Sequence, residues 1–166
     1  MSDANTQFVV RLTTHPAMVW WIKHVVSRID PILHRATNGR LTFFGPPAMP
    51  MVTLETVGRE TGKIRPIHLA AIEHQGDHLV VASAMGQQKH PAWRYNLEAH
   101  PEIDIQMTGE RFRAEARVLT DEEKAAVWDK ICKIIPQIRV YETRTDRNIR
   151  VFRLRRLDAA TAGAAK

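Results

Sequence analysis

The sequence predicts an α+β fold, a small barrel of mainly antiparallel strands with helices packed outside it. Strand-like segments follow one another through short glycine-containing turns, which is typical of antiparallel hairpins. The helical segments do not alternate regularly with these strands, so a doubly wound parallel sheet is not expected. The 166 residues, 44% of them hydrophobic and 25% charged, suit one globular domain with a core of its own.

An N-terminal helical segment, residues 1–38, is expected to belong to the same domain. Residues 1–13 resemble a loose leader, and Pro16 then takes the first position of a helix. Apolar residues follow at helical spacing, and Pro31 is expected to kink or restart the helix. Residues 39–50 contain two glycines and three prolines, which favours an extended crossing loop.

The barrel is expected within residues 39–157, with a flexible tail at 158–166. The segments with strand patterning are residues 52–57, 64–73, 78–83, 103–107, 112–119 and 149–157. A short helix is predicted from Pro91 to Ala99. A longer helix is predicted to begin at the capping box Thr120-Asp121-Glu122-Glu123 and to end before Pro136.

The charge balance favours an anionic partner. The chain has 24 lysine and arginine residues against 18 acidic residues, a formal net charge of +6. Phosphorylated ligands, nucleic acid and anionic membrane surfaces all fit such a balance, and so does a merely solvated basic face. Seven arginines lie between Arg139 and Arg156, but only Tyr141 and Phe152 interrupt them as aromatic residues. Nucleic-acid binding is therefore not expected.

Neither a metal nor a disulfide is expected. The single cysteine, Cys132, lies between apolar residues of a predicted helix and is interpreted as a buried structural thiol. The eight histidines lack metal-ligand spacing. No apolar run approaches the roughly 20 residues that span a bilayer, and no signal-peptide pattern begins the chain. We expect a cytoplasmic protein, with peripheral contact of the N-terminal helix (Trp20, Trp21) with the membrane left open.

Two loops are candidate anion sites. Residues 58–65 form a turn in which two glycines allow exposed N–H groups among three cations. These cations are Arg59, Lys63 and Arg65. Residues 83–91 join a strand to a helix N-terminus, whose free N–H groups lie beside Lys89. A solvated hairpin tip and an ordinary strand-to-helix connection are the plainer interpretations, but two such loops facing one pocket would mark it as a site.

Residues suited to acid–base or nucleophilic work are not grouped in this sequence, so a bound cofactor is expected to supply any chemistry. Tyr141 is either a hydrogen-bond donor in a pocket or a ring packed beneath a loop. Trp93 and Asn96 share one helix face. Trp93 is interpreted as a core residue, and Asn96 is expected to make a capping or ligand hydrogen bond.

Four segments together resemble a known family. They are Thr56–Arg65 (TVGRETGKIR), Ala82–Gly86 (ASAMG), Lys89–Pro101 (KHPAWRYNLEAHP) and Tyr141–Arg147 (YETRTDR). In this order they resemble the deazaflavin-dependent nitroreductase family of F420H2-dependent oxidoreductases, which has a split β-barrel fold. The resemblance covers residues 50–157 and implies coenzyme F420, a deazaflavin with a phosphate and an oligoglutamate tail, and a small-molecule acceptor.

The resemblance also implies roles for matched positions. The basic turn would meet the phosphate and tail, residues 66–68 would line the ring edge, and the second loop would hold phosphate or ring. The cofactor-binding positions that it implies are Arg59, Thr61, Gly62, Lys63, Arg65, Pro66, Ile67, His68, Ala82, Ser83, Ala84, Gly86, Lys89, Pro91, Ala92, Trp93 and Asn96. Ser83 or Tyr141 would donate a hydrogen bond to the acceptor oxygen. The acceptor pocket would include Ile135, Ile138 and Tyr141.

Three departures from the family pattern bear on affinity and substrate. Glu60 stands where many relatives carry a basic residue, and Ala84 stands where many carry lysine. Ile135 and Ile138 stand where the nitroreductases proper carry tyrosines. The resulting apolar pocket favours a menaquinone-like quinone or another flat conjugated carbonyl compound, such as an enone or lactone, over a nitroaromatic.

Two alternatives remain at this stage. An FMN-dependent oxidoreductase on a similar barrel would use the basic turn for a single phosphate, although three cations suit a polyanionic tail better. A lipid or fatty-acid carrier would reuse the barrel without catalysis. The sequence predicts no particular oligomeric state.

Overall fold

The computed structural model describes residues 15–37 and 50–157, and its strands form one curled antiparallel sheet. The strands are β1 (Met51–Val57), β2 (Ile64–Ala70), β3 (Ile72–His74), β4 (Asp77–Val81), β5 (Glu102–Met107), β6 (Glu110–Val118) and β7 (Val151–Arg156). Their spatial order is β2-β1-β5-β6-β7-β4-β3. The expected leader, the tail and all but the last residue of the crossing loop lie outside the described residues.

The curl of the sheet follows from its connectivity. β2 and β3 lie at opposite ends of the strand order, yet only Ala71 separates them along the chain. The sheet must therefore bend until its two ends meet, which makes a half-barrel. The sequence predicted one strand over residues 64–73, and this was wrong because the chain turns a corner at Ala71. The small side chain there is 1% exposed, and its N–H donates to the carbonyl of Pro50 at 2.9 Å.

The helices flank this sheet. They are α1 (Pro16–Trp21), α2 (Ser27–Ala36), α3 (Ala92–Ala99), α4 (Asp121–Ile134) and α5 (Gln137–Glu142). A first core holds Leu54, Ile105, Phe152 and the α3 residue Leu97, all essentially unexposed. A second core on the other face of β4 and β7 packs residues of α4 and α5. The α+β prediction, with helices outside an antiparallel barrel, is confirmed.

The N-terminal helix begins at Pro16, as the sequence predicts, but its irregularity is not at Pro31. A π-helical turn, Ile22–Val26, separates α1 from α2, and α2 continues through Pro31 to Ala36. Because a proline has no N–H, Pro31 does not donate the usual hydrogen bond to the carbonyl four residues earlier, which belongs to the first residue of α2. The π-helical turn therefore lies directly before the helical turn that leads to Pro31. No helix in the described ranges has the length and apolarity needed to cross a membrane.

The start of α4 confirms the predicted capping box. The Glu123 N–H donates to Thr120 Oγ1 at 3.2 Å, and the Thr120 N–H donates to Glu123 Oε2 at 2.9 Å. Arg117 adds two hydrogen bonds to the same carboxylate, at 2.7 and 2.8 Å. These bonds, those from Arg117 first, lower the pKa of Glu123 to about 2. Within α4, Cys132 is buried as expected, and burial raises the pKa of its thiol.

Acid should therefore weaken the fold through Glu123. Because the pKa of Glu123 is lower in the folded protein than its ordinary value of 4.5, its stabilisation is complete above pH 4.5 and lost as the pH falls to about 2. We expect Glu123→Gln to lower the melting temperature at neutral pH, and this difference from the wild type should vanish near pH 2. Glu122→Gln, in the same helical turn, is the control. A difference that is independent of pH would contradict the assignment.

Candidate active site

Two adjoining cavities open between β2, α3 and the loop that follows β4. The first has a volume of about 550 Å3 and is lined by Thr56, Gly58, Arg59, Glu60, Thr61, Arg65, Pro66, Ile67, Ala92, Trp93, Tyr95 and Asn96. The second has a volume of about 480 Å3 and is lined by Ile22, Val26, Asp30, Met51, Ile67, His68, Leu69, Val81, Ser83, Ala84, Met85, Gln87, Pro91 and Trp93. Ile67 and Trp93 border both cavities, which therefore adjoin, and the two cavities together are called the groove below.

The basic turn between β1 and β2 forms one wall of the first cavity. Its backbone closes on Gly58, whose carbonyl accepts from the N–H groups of Thr61 at 3.1 Å and Gly62 at 2.7 Å. A Cβ on Gly58 would lie 2.7 Å from Thr61 Oγ1, and Gly62 adopts a φ of 65°. A side chain at Gly58 would therefore push the Thr61 hydroxyl aside, and a side chain at Gly62 would be strained by its conformation. The turn holds Arg59 and Arg65 at the mouth of the cavity.

Asn96 ties this turn to α3. The Arg59 N–H donates to Asn96 Oδ1 at 3.2 Å, and Asn96 Nδ2 donates to Thr56 Oγ1 at 3.1 Å. The Thr56 hydroxyl in turn donates to the Arg65 carbonyl at 2.8 Å. Asn96 is 8% exposed and Thr56 is fully buried. The capping-type hydrogen bond expected for Asn96 is therefore made to the basic turn, and the side chain positions the cations beside it.

Removing the side-chain amide of Asn96 should loosen the basic turn between β1 and β2. Asn96→Ala removes the partner of the half-buried Arg59 N–H and one of the two partners of the buried Thr56 hydroxyl, which costs about 1–3 kcal/mol of unfolding free energy. Urea denaturation measures this, and Asn148→Ala, which removes an exposed amide, is the control. Equal losses in the two variants would contradict the bridging role.

Neighbouring side chains contact the arginines at the first cavity. Arg59 Nη2 lies 3.1 Å from Glu60 Oε1, in an ion pair whose side chains are 48% and 78% exposed. The guanidinium groups of Arg59 and Arg94 lie 4.7 and 4.8 Å from the ring centre of Tyr95. Such cation–π contacts orient a guanidinium without neutralising it, and an exposed ion pair contributes little. Arg59 therefore remains able to bind an anion.

The loop after β4 forms a wall of the second cavity. Ala84, Met85 and Gly86 have φ values of 45°, 55° and 76°, so three successive residues are left-handed. This conformation is disfavoured for residues with a Cβ. It follows Ser83 and bends the chain sharply between the end of β4 and the start of α3. Ser83, Ala84 and Met85 line the cavity as a result.

Most of the predicted cofactor positions lie along the groove. The structure brings together Arg59, Thr61, Arg65, Pro66, Ile67, His68, Ser83, Ala84, Pro91, Ala92, Trp93 and Asn96. Five other predicted positions line neither cavity. Gly62 and Lys63 lie at the exposed tip of the turn, and Lys89 is exposed. Ala82 is unexposed in the first core, and Gly86 lies against Arg144.

The predicted acceptor pocket of Ile135, Ile138 and Tyr141 is placed elsewhere. These residues belong to the second core, where Ile138 is 2% exposed and Tyr141 9% exposed. Ile138 and Tyr141 lie on α5, a short helix that the sequence analysis missed, and Ile135 is the residue that ends α4. Met85 packs against this core and also lines the second cavity, whereas the three predicted residues line neither cavity. Burial raises the pKa of the Tyr141 phenol, which stays protonated.

Sequence reasoning missed the N-terminal contribution to the site. Ile22, Val26 and Asp30 line the second cavity, and Asp30 is 9% exposed. An apolar stripe that covers a cavity has the same spacing as one that covers a core, so nothing in the pattern distinguishes them. Tyr95 was also missed, although its adjacency to the cations of α3 and the turn was a usable signal.

Comparison with known proteins identifies relatives of this chain. A family model described as F420H(2)-dependent quinone reductase matches residues 26–155. An F420H(2)-dependent quinone reductase of Mycobacterium tuberculosis is 31% identical over 143 residues, which cover 82% of this chain and 96% of that protein. A solved F420-H2 dependent reductase, FDR-A, is 34% identical and has a TM-score of 0.57. The match covers 63% of this chain and 92% of that chain.

A further solved structure, described as a domain-swapped dimer, is 29% identical and has a TM-score of 0.60. The match covers 81% of this chain and 96% of that chain.

The chemistry of the groove fits coenzyme F420. The arginines at the first cavity suit phosphate and carboxylate groups, although the turn N–H groups expected to be exposed there bond mostly within the protein, and the mainly apolar second cavity suits a flat ring. Each cavity has the volume of a typical small-molecule site. An FMN cofactor is not needed to account for the site. The chain belongs to the F420H2-dependent quinone reductase family, with coenzyme F420 as its cofactor and F420H2-dependent reductase activity.

Proposed function

We propose that the protein transfers a hydride from reduced F420 to a flat, electron-poor quinone of the menaquinone type, with enones and nitroaromatics as poorer acceptors. The observation that carries this proposal is the second cavity. Its lining is mainly apolar, and Asp30, His68, Ser83 and Gln87 are its polar members. Such a cavity stabilises a conjugated apolar ring by burial and offers few groups to bind a nitro group.

The two parts of the groove have different tasks in this proposal. Arg59 and Arg65 would hold the anionic phosphate and tail at the first cavity, while Trp93 and Ile67, which border both cavities, would contact the deazaflavin ring. When bound, the reduced deazaflavin supplies the hydride. The residues of the chain orient the two rings, exclude water from between them and stabilise charge that develops on the acceptor oxygen. The N-terminal helices contribute by covering the second cavity.

Ser83 is the proposed hydrogen-bond donor to the acceptor oxygen. It lines the second cavity, whereas Tyr141 is buried in the second core and lines neither cavity. We expect Ser83→Ala to lower kcat about 10–100-fold with little change in the KM of the acceptor, because the bond strengthens as charge develops. Tyr141→Phe should stay within about twofold of the wild type. The reverse pattern would assign the donor role to Tyr141.

Stopped-flow absorbance tests the reaction directly. Reduced F420 bound to the protein is mixed with a short-chain menaquinone analogue, an enone or a nitroaromatic, and oxidation of the deazaflavin is followed at its absorbance band. We expect the quinone to give the fastest oxidation. Faster oxidation by the nitroaromatic would contradict the acceptor proposal. Binding of F420 without turnover of any acceptor would favour a non-catalytic carrier.

Membrane contact through the N-terminal helix stays a prediction. Trp20 is 60% exposed and Ile32 is 72% exposed, while Ile22 and Val26 face the second cavity. The helices therefore present apolar side chains on two sides. Co-sedimentation with anionic vesicles, compared between wild type and Trp20→Ser, measures whether the outer side binds lipid.

A further inference from the structure

The guanidinium of Arg147 is built into the loop that walls the second cavity. Its Nε donates to the Gln87 carbonyl at 2.8 Å, Nη1 donates to the Ala82 carbonyl at 3.0 Å, and Nη2 donates to the Ser83 carbonyl. Nη1 also lies 3.3 Å from His90 Nδ1. Arg147 itself lies between α5 and β7, about 60 residues along the chain from the loop. One side chain therefore joins both ends of the turn at residues 82–87.

This loop needs an external support because its conformation is unfavourable. Ala84 and Met85 carry a Cβ in the left-handed region, which costs about 1–2 kcal/mol for each residue. Within the loop, the Gly86 N–H bonds to the Ser83 carbonyl at 3.0 Å, and the Gln87 N–H bonds to the Ala84 carbonyl at 3.1 Å. Hydrogen bonds to a charged donor are stronger than these neutral ones. The three from Arg147 are therefore the strongest restraint on the loop.

A second tie joins the same two segments. Gln88 Nε2 donates to the Arg144 carbonyl at 3.0 Å, and the Thr145 hydroxyl donates to Gln88 Oε1 at 3.1 Å. This tie holds the end of the loop nearest α3. It does not span the left-handed residues. Of the side chains of Gln88, Thr145 and Arg147, that of Arg147 bonds to carbonyls on both sides of the left-handed residues.

We propose that Arg147 is a positioning residue that fixes the loop of residues 83–87 in the shape that receives the cofactor and acceptor. The role in binding rests on the proposed function, but the role in loop shape does not. The planar fork of arginine places Nε and both Nη groups against separate carbonyls, which the single nitrogen of lysine does not reproduce. The recorded contacts of this guanidinium within the described chain are to uncharged groups. These contacts therefore do not neutralise the positive charge of Arg147, which lies beside the second cavity.

Hydrogen exchange of the protein without cofactor tests the first part. The N–H groups of Gly86 and Gln87 bond to carbonyls of the loop itself, so their exchange rates report its opening. We expect Arg147→Lys to speed their exchange at least about tenfold while the amides of β5 and β6 keep wild-type rates. Arg150→Lys is the matched control, because the Arg150 guanidinium bonds to Asp121 at 3.0 Å. The contact of Arg150 with the edge of the loop is made by its backbone carbonyl, which accepts from the Ala82 N–H at 2.9 Å and which the substitution keeps. Unchanged exchange in Arg147→Lys overturns the proposal.

Titration with oxidised F420, followed by its fluorescence, tests the second part. We expect the Kd to rise about tenfold or more in Arg147→Lys and to stay at the wild-type value in Arg150→Lys. Faster loop exchange with an unchanged Kd would overturn the role of the loop in binding. Failure of the wild type to bind F420, with fast exchange in Arg147→Lys, would overturn the proposed function and leave the positioning of the loop supported.

Discussion

Replacing Gly86 by alanine is expected to cost about 2–4 kcal/mol of unfolding free energy. Gly86 has a φ of 76°, where a Cβ costs about 1 kcal/mol. The new Cβ would also lie 2.9 Å from Arg144 Cβ and 3.0 Å from the Tyr141 carbonyl. Because the second contact is with backbone, relief requires α5 or the loop that contains Gly86 to move. A drop in melting temperature of about 5–15 °C should follow.

Gly76→Ala measures the cost of the left-handed backbone conformation without a steric contact of the new Cβ. Gly76 has a φ of 80°, but a Cβ there meets nothing within 4 Å. This variant should therefore lose only about 1 kcal/mol. Gly86→Ala should also weaken F420 binding, since the displaced loop walls the second cavity, whereas Gly76→Ala should bind normally. Equal losses of stability in the two variants would show that the contact with α5 contributes nothing.

The second large effect is expected at the basic turn. Each charge-assisted hydrogen bond to an anion contributes about 1.5–3 kcal/mol, so Arg65→Ala should raise the Kd for F420 about 10–100-fold. The double variant Arg59→Ala, Arg65→Ala should weaken binding further, by about 100-fold or more. The effect should shrink at high salt, because the groups are exposed and screened. Fluorescence titration at two salt concentrations measures both quantities.

The matched control removes the same charge elsewhere. Arg111 and Arg113 on β6 are exposed and pair with Glu55 and Glu102, away from the groove. Alanine at both positions changes the net charge equally and should leave the Kd within about threefold. If this control weakens binding as much as the turn variant, the effect is one of overall charge, and the site at the turn is wrong.

Local chemistry made part of this structure predictable. The glycine turn at 58–62, the capping box at Thr120 and the strand patterns each depend on neighbouring residues, and all were placed within a few residues of their observed positions. The convergence of the two loops on one groove was also expected. The family resemblance added the identity of the cofactor, which spacing by itself did not supply.

Long-range packing decided the rest. The six residues of α5 are too few to show helical periodicity. The family resemblance implied a pocket for Ile138 and Tyr141, but they lie in a core. Asn96 was expected to bind a cap or a ligand, and its partners proved to be in β1 and the turn, about 40 residues away along the chain. Sequence patterns do not encode such distant partners.

The sequence by itself determined the order and type of most elements, the glycine-dependent turns and the basic character of the site, because these depend on residues within a few positions of one another. The tertiary structure decided that the sheet closes at Ala71, that the N-terminal helices line the second cavity and that Arg147 holds the loop after β4. Each of these depends on which surfaces meet when the chain buries its apolar area, and burial is not directional.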